Sequence, residues 1–244
     1  MIISKNLKPS SCFNITYLDN NEYPFNVRFS NKRGVGNNSD FYGPGIYSIF
    51  DKINNQVVYI GLWRPNDKSV VNERFRKHIQ TLTIRGNNVR FDKNLNFTLQ
   101  SFCQSNNAQN LYDALSKCSS IGKRLHSGGI VSSTPKVKYA SKNWYEFSSW
   151  SNAEEVIDAL DNRFTFQYNK IDHFFDEELE AKVLRAQIRR YFELPLIQHC
   201  NPIANAEYKS DKITLEHIDK SNFGGSDVIS NMIENIIKDN KSGC

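Results

Sequence analysis

Gly45-Ile46-Tyr47-Ser48-Ile49-Phe50-Asp51-Lys52-Ile53-Asn54-Asn55-Gln56-Val57-Val58-Tyr59-Ile60-Gly61-Leu62 is the stretch that decides the fold. Two short runs of β-branched and aromatic residues flank a polar turn from Asp51 to Asn55, which predicts an antiparallel hairpin entered through Tyr42-Gly43-Pro44. Just beyond it, Val71, Phe75, Ile79 and Leu82 recur at helical spacing over Ser69 to Leu82. That period predicts a helix with one face on the hairpin and with Arg74 and His78 one turn apart at the edge of the apolar stripe.

Working outward, residues 1–40 are polar and turn-rich and read as an irregular lead-in. Residues 83–100 carry short alternating patches, and Asn107 to Cys118 has helical spacing. Between Ala114 and Tyr145 there is no acidic residue, while Lys117, Lys123, Arg124, Lys136, Lys138 and Lys142 alternate with glycine and aromatic residues. Such a window is either a soluble surface insertion or a surface for phosphate and groove contacts, with Arg28, Lys32 and Arg33 as a second basic arm. Ser151 followed by Glu154 has the form of a capping box ahead of a short helix. Arg163 to Tyr168 then alternates strictly, with Phe164, Phe166 and Tyr168 on one face, as a strand should. Asp176 to Tyr191 reads as a helix with Leu179, Val183, Leu184 and Ile188 inward and Lys182, Arg185, Arg189 and Arg190 outward. A final amphipathic stripe, Val228, Ile229, Met232, Ile233, Ile236 and Ile237, fits a helix packed on the body or on a second copy.

The 39% hydrophobic and 12% aromatic content is enough for a buried core and excludes a mainly disordered chain. A net charge of +5 suits a polyanionic partner without demanding one. Five scattered cysteines, Cys12, Cys103, Cys118, Cys200 and Cys244, lack zinc spacing and read as thiols in a reducing cytoplasm. No apolar run follows Lys5 and Lys8 as a secretory leader would need, and none approaches a membrane span of about 20 residues, so a cytoplasmic protein with no membrane association is expected.

Gly45-Ile46-Tyr47 and Tyr59-Ile60-Gly61, with eleven residues between the tyrosines, resemble the paired motif that names the GIY-YIG nucleases. Glu73-Arg74-Phe75-Arg76-Lys77-His78 resembles that family's first helix, with its arginine and a histidine one turn on. Arg163 to Tyr168 resembles its third strand. Glu180, followed by the apolar pair Val183-Leu184, matches the glutamate that opens the next helix, and Asn201 between Pro195 and Pro202 matches a later asparagine. The resemblance implies an α+β fold, a small, mainly antiparallel sheet of about three core strands flanked by helices. The nuclease domain would span 41–205 with an insertion at about 83–160, and the extension 206–244 would hold an amphipathic helix at about 226–238.

The resemblance also implies a catalytic set of Tyr47, Tyr59, Arg74, His78, Glu180 and Asn201, with Glu180 holding a Mg2+ ion that Mn2+ can replace. Arg76, Lys77, Lys123, Arg124, Lys136 and Lys138 are the candidate DNA contacts. The residue types suit the chemistry, because phosphodiester hydrolysis needs an activated water, a neutralised phosphate and a stabilised leaving oxygen. One carboxylate can hold a hard divalent ion that keeps most of its waters, and an arginine forks onto phosphate. A tyrosine with a reference pKa near 10 is about three units too weak a base at neutral pH, so cationic help is required. By the same resemblance Tyr47 is the leading candidate base, Tyr59 its hydrogen-bonding or phosphate-positioning partner and His78 a proton relay, with the choice of base between the two tyrosines left open. Singly, each has a plainer role: paired strand aromatics, a solvated helix edge, a turn asparagine. Taken together they point to a metal-dependent endonuclease, and a single nuclease domain enlarged by internal insertion most resembles that family's site-specific restriction enzymes acting on double-stranded DNA, for which a homodimer is one way to cut both strands. A phage, homing or repair nuclease of looser specificity and an inactive DNA-binding relative stay open.

Overall fold

The computed structural model describes residues 3–17, 27–85, 130–150, 152–175, 179–205 and 226–241. In chain order the elements are β1 (Ile3–Leu7), α1 (Pro9–Cys12), β2 (Phe13–Tyr17), β3 (Val27–Asn31), α2 (Arg33–Gly36), β4 (Gly45–Asp51) and β5 (Gln56–Trp63). A π-turn over Val71–Phe75 runs into α3 (Arg76–Thr83). Then come α4 (Ile130–Lys142), α5 (Trp144–Ser149), α6 (Ala153–Arg163), β6 (Phe164–Lys170) and α7 (Ala181–Ile188). A second π-turn, Arg189–Glu193, leads into α8 (Leu194–Cys200), and α9 spans Ser226–Lys241.

The predicted hairpin is β4 and β5, and the alternating strand is β6, so the fold is α+β as the sequence implies. Among the described residues the small sheet has four strands, all antiparallel in the order β1-β6-β4-β5. The fourth is β1, which pairs residue for residue with β6, and β2 and β3 form a separate hairpin. The described part of residues 1–40 therefore holds three strands and two short helices, against the expected irregular lead-in. Ile3-Ser4-Lys5-Asn6-Leu7 gives little periodic signal because an edge strand draws much of its stability from a distant partner.

Both faces of the sheet are covered, and β4 is buried along its whole length. On one face Tyr47, Ile49, Phe166 and Tyr168 pack against Phe75, Ile79 and Leu82 from the first helix. On the other, Ile46, Phe50 and Ile60 meet Ile188, Phe192, Leu196 and Ile197, with Ile229, Met232 and Ile233 of α9 in the same cluster. The C-terminal amphipathic helix thus buries Ile229, Met232 and Ile233 on this chain's own core.

Two helix boundaries differ from expectation. The N-cap of α6 is Asn152, whose side chain accepts from the Glu155 backbone N–H, one residue beyond the expected Ser151. The single helix expected over Asp176 to Tyr191 is instead α7 plus the second π-turn; Val183, expected inward, is 40% exposed, while Leu184 is partly buried and Ile188 fully. The expected helix at Asn107 to Cys118, together with Lys117, Lys123 and Arg124, lies outside the described residues.

Candidate active site

The hairpin register sets the centre. Tyr47 lies opposite Gly61 on β5 and opposite Tyr168 on β6, which puts its ring on the same face as Tyr59, two residues from Gly61. The motif glycines are required by close approach. A Cβ on Gly61 would stand 2.5 Å from the Tyr47 hydroxyl oxygen and 2.9 Å from Cε1 of Tyr59, and one on Gly45 would enter the Tyr168 ring. At the Ile49/Phe50 step the pairing shifts so that Val58 is an extra residue in β5, a bulge directly before Tyr59.

Arg74 sits in the first π-turn and His78 one turn later in α3. His78 is buried against the tyrosines, with Nε2 2.9 Å from the Tyr47 hydroxyl and its ring centroid 4.3 Å from that of Tyr59. Burial lowers the His78 pKa well below its usual value, and the neighbouring Lys136, Arg74 and Lys77 lower it further, so the imidazole is neutral. Burial also raises Tyr47 well above the ordinary phenol, reinforced by Tyr59 and opposed by Arg74. Tyr59 is pushed up to about 12 by burial and then by the charge of Glu193, again against Arg74. Arg74 itself lies with its guanidinium carbon 5.6 Å from the Trp63 ring centroid.

The structure brings Tyr47, Tyr59, Arg74 and His78 together. Their carboxylate neighbour is Glu193, in place of Glu180. Glu180 is exposed at the N-cap position of α7 and makes no side-chain cap. Glu193 closes the second π-turn, accepts a hydrogen bond from the Leu62 backbone N–H, and is pushed up to about 7 by burial, with Arg189 and Arg185 pulling the other way. The sequence held the signal, because Glu193 has Leu196-Ile197 at the same offset that Val183-Leu184 has from Glu180.

A similar exchange applies to the asparagine. Asn201 is the exposed left-handed cap of α8, with φ 45°, and its backbone N–H donates to the Ile197 carbonyl. Asn205, three residues beyond Pro202, is buried, and its amide pairs with Ile60 on both sides: Oδ1 accepts from the Ile60 N–H at 2.8 Å and Nδ2 donates to the Ile60 carbonyl at 2.7 Å. With Ile203 N–H and Ala204 N–H donating to the Val57 and Val58 carbonyls, this segment closes the outer edge of β5 beside Tyr59.

The expected DNA contacts divide. Arg76 is half-buried, Lys77 bridges to Glu73 at 3.2 Å, and Lys138 is exposed. Lys136, expected on the surface, is buried with Nζ 4.3 Å from the Tyr59 ring centroid. Among the described residues no three His, Cys, Asp or Glu side chains converge, so a metal ion at this centre would have Glu193 as its protein carboxylate and water for the rest of its shell. That donor set is compatible with Mg2+, which takes one or two carboxylates and keeps several waters. No protein family, curated protein or solved structure was found to match the chain.

Proposed function

We propose that this chain is a metal-dependent endonuclease that hydrolyses phosphodiester bonds in double-stranded DNA, a site-specific enzyme of restriction type acting in the cytoplasm. The observation that carries the reading is the 2.9 Å contact between the Tyr47 hydroxyl and Nε2 of a neutral His78, with Tyr59, Arg74 and Glu193 around it. In the tautomer with its proton on Nδ1, His78 accepts from Tyr47. Tyr47 then takes the proton of the attacking water while passing its own to Nε2, so no free phenolate forms and the high proton affinity of the buried phenol is no obstacle. The water oxygen bonds to phosphorus, and the bond from phosphorus to the bridging oxygen breaks; that oxygen takes its proton from solvent.

Arg74 forks onto the phosphate as charge builds. Glu193 would hold the divalent ion, which supplies charge neutralisation at the phosphate. Tyr59 holds the phosphate side of the centre, and Asn205 keeps β5 fixed behind it. Cutting both strands takes two such centres or two events, so a homodimer with symmetric recognition is part of the proposal. The test is incubation of the folded protein with plasmid and genomic DNA in Mg2+, in Mn2+ and in EDTA. Discrete fragments in either metal and none in EDTA are expected. Intact DNA in all three would defeat the reading.

A further inference from the structure

We propose that the exposed basic row of α7 and the turn after it, Lys182, Arg185 and Arg190, is the surface that carries the phosphate backbone of the duplex toward the tyrosine centre. The inference rests on the nuclease reading above and assigns a DNA-binding surface outside the motif and outside the inserted segment. From Ala181 to Phe192 the chain carries Lys182, Arg185, Arg189 and Arg190 and no acidic residue. Leu184 and Ile188 pack on the core. At about 100° per residue, Lys182 and Arg185 then fall within about 60° of each other on the far side of the helix. Arg190, in the second π-turn, continues the row, with its guanidinium carbon 5.6 Å from the Tyr191 ring centroid. Half-buried Arg189 acts on Glu193 and is not part of the row.

Both ends of this segment are tied to the end of β5 that carries the centre. At its start the Ala181 carbonyl accepts from Arg64 Nη1 at 2.6 Å, and Arg64 directly follows Trp63, the ring beside the Arg74 guanidinium. At its end Glu193 accepts from the Leu62 backbone N–H, and the charges of Arg189 and Arg185 reach its carboxyl. The row is thereby held next to the two groups that would take the scissile phosphate and its metal.

Its length suits a nucleic-acid strand. Lys182 to Arg190 spans ~12 Å along the axis, the rise of about three to four nucleotides of one strand. Helix stability does not account for the pattern, because Lys182 sits in the first turn, where the helix dipole disfavours a cation. A backbone of evenly spaced negative charges does account for it.

The experiment compares wild type with Lys182→Gln, Arg185→Gln, Arg190→Gln and the triple variant. The control is Lys8→Gln, an exposed lysine just after β1 at the opposite edge of the sheet from β5. Three readouts are taken: melting temperature, equilibrium binding of a labelled DNA duplex in metal-free buffer across a salt series, and cleavage of the duplex in Mg2+. All variants are expected to melt close to wild type, since the side chains removed are exposed. Each single variant is expected to lower the slope of log affinity against log salt by about 0.9 and the triple by about 2.7, while Lys8→Gln leaves it unchanged. In cleavage the triple variant is expected to raise KM by roughly tenfold or more, with kcat falling far less. If the triple variant melts low, the three single variants decide. Slopes equal to wild type, or lowered no more than Lys8→Gln lowers its own, overturn the assignment while wild-type cleavage keeps the nuclease reading intact. If wild type cuts nothing, the nuclease reading fails and the slopes alone decide for α7: lowered slopes support the surface, and unchanged slopes or no binding at all overturn it.

Discussion

Replacing Glu193 by glutamine is expected to stabilise the metal-free protein, by an amount that grows with pH. The carboxyl is held at about 7 in the folded chain against 4.5 for an ordinary glutamate, chiefly by burial. Between those values the folded state binds more protons than the unfolded state, so wild-type stability falls as pH rises and stays lower above about 7. At about 1.4 kcal/mol per unit the full difference approaches ~3 kcal/mol, and partial solvent access to this half-buried side chain reduces it to ~1–2 kcal/mol. Glutamine keeps the acceptor for the Leu62 N–H and does not titrate, so it escapes the penalty. For a chain of this size that corresponds to a rise of roughly 2–6 °C in Tm at pH 8 in EDTA, shrinking toward zero near pH 5. Thermal melts followed by circular dichroism at the two pH values measure it. Equal loss of stability at both would mean that burial does not hold the Glu193 carboxyl above its ordinary range, and the reasoning would fail.

Three further substitutions test the frame around it. Gly61→Ala places a methyl 2.5 Å from the Tyr47 hydroxyl oxygen and is expected to cost about 2–3 kcal/mol in denaturant melts, with loss of cleavage as Tyr47 leaves His78. Asn205→Ala leaves the Ile60 N–H and carbonyl without their partners and is expected to cost about 2–4 kcal/mol in the same melts. Asn201→Gly, at an exposed left-handed cap, is expected to leave melting temperature within a degree or two and cleavage unchanged; a tenfold loss of cleavage would return Asn201 to the site.

What the sequence revealed, and what it hid, follows from how regular each element is. The hairpin was legible because Ile46, Tyr47, Val57 and Tyr59 lie in strands whose own composition predicts them. Arg74 and His78 followed from helical spacing. Glu193 did not, for a physical reason. Lys182, Arg185, Arg189 and Glu193 would share one solvated face of an unbroken α-helix, and the π-turn at Arg189–Glu193 adds a residue to that turn, swinging Glu193 by about 100° toward the tyrosines. The other π-turn carries Arg74, and the bulge at Val58 adjoins Tyr59. Periodicity assumes regular geometry, and the centre is built where geometry departs from it. Asn205 was missed differently: its work is to imitate a strand with its side-chain amide, and composition carries no mark of that. Lys136 read as one of a basic run because nothing in that run tells a buried lysine from an exposed one until Tyr139 is seen pinned to Asp51.

The most direct test of the central claim sets the two glutamates against each other. Duplex cleavage in Mg2+ is measured for wild type, Glu193→Gln and Glu180→Gln at equal concentration, after melts show all three folded. The account predicts cleavage by wild type and Glu180→Gln at closely similar rates and a loss of a thousandfold or so in Glu193→Gln, on the order of 4 kcal/mol of transition-state stabilisation. Loss in Glu180→Gln with activity kept in Glu193→Gln would contradict it.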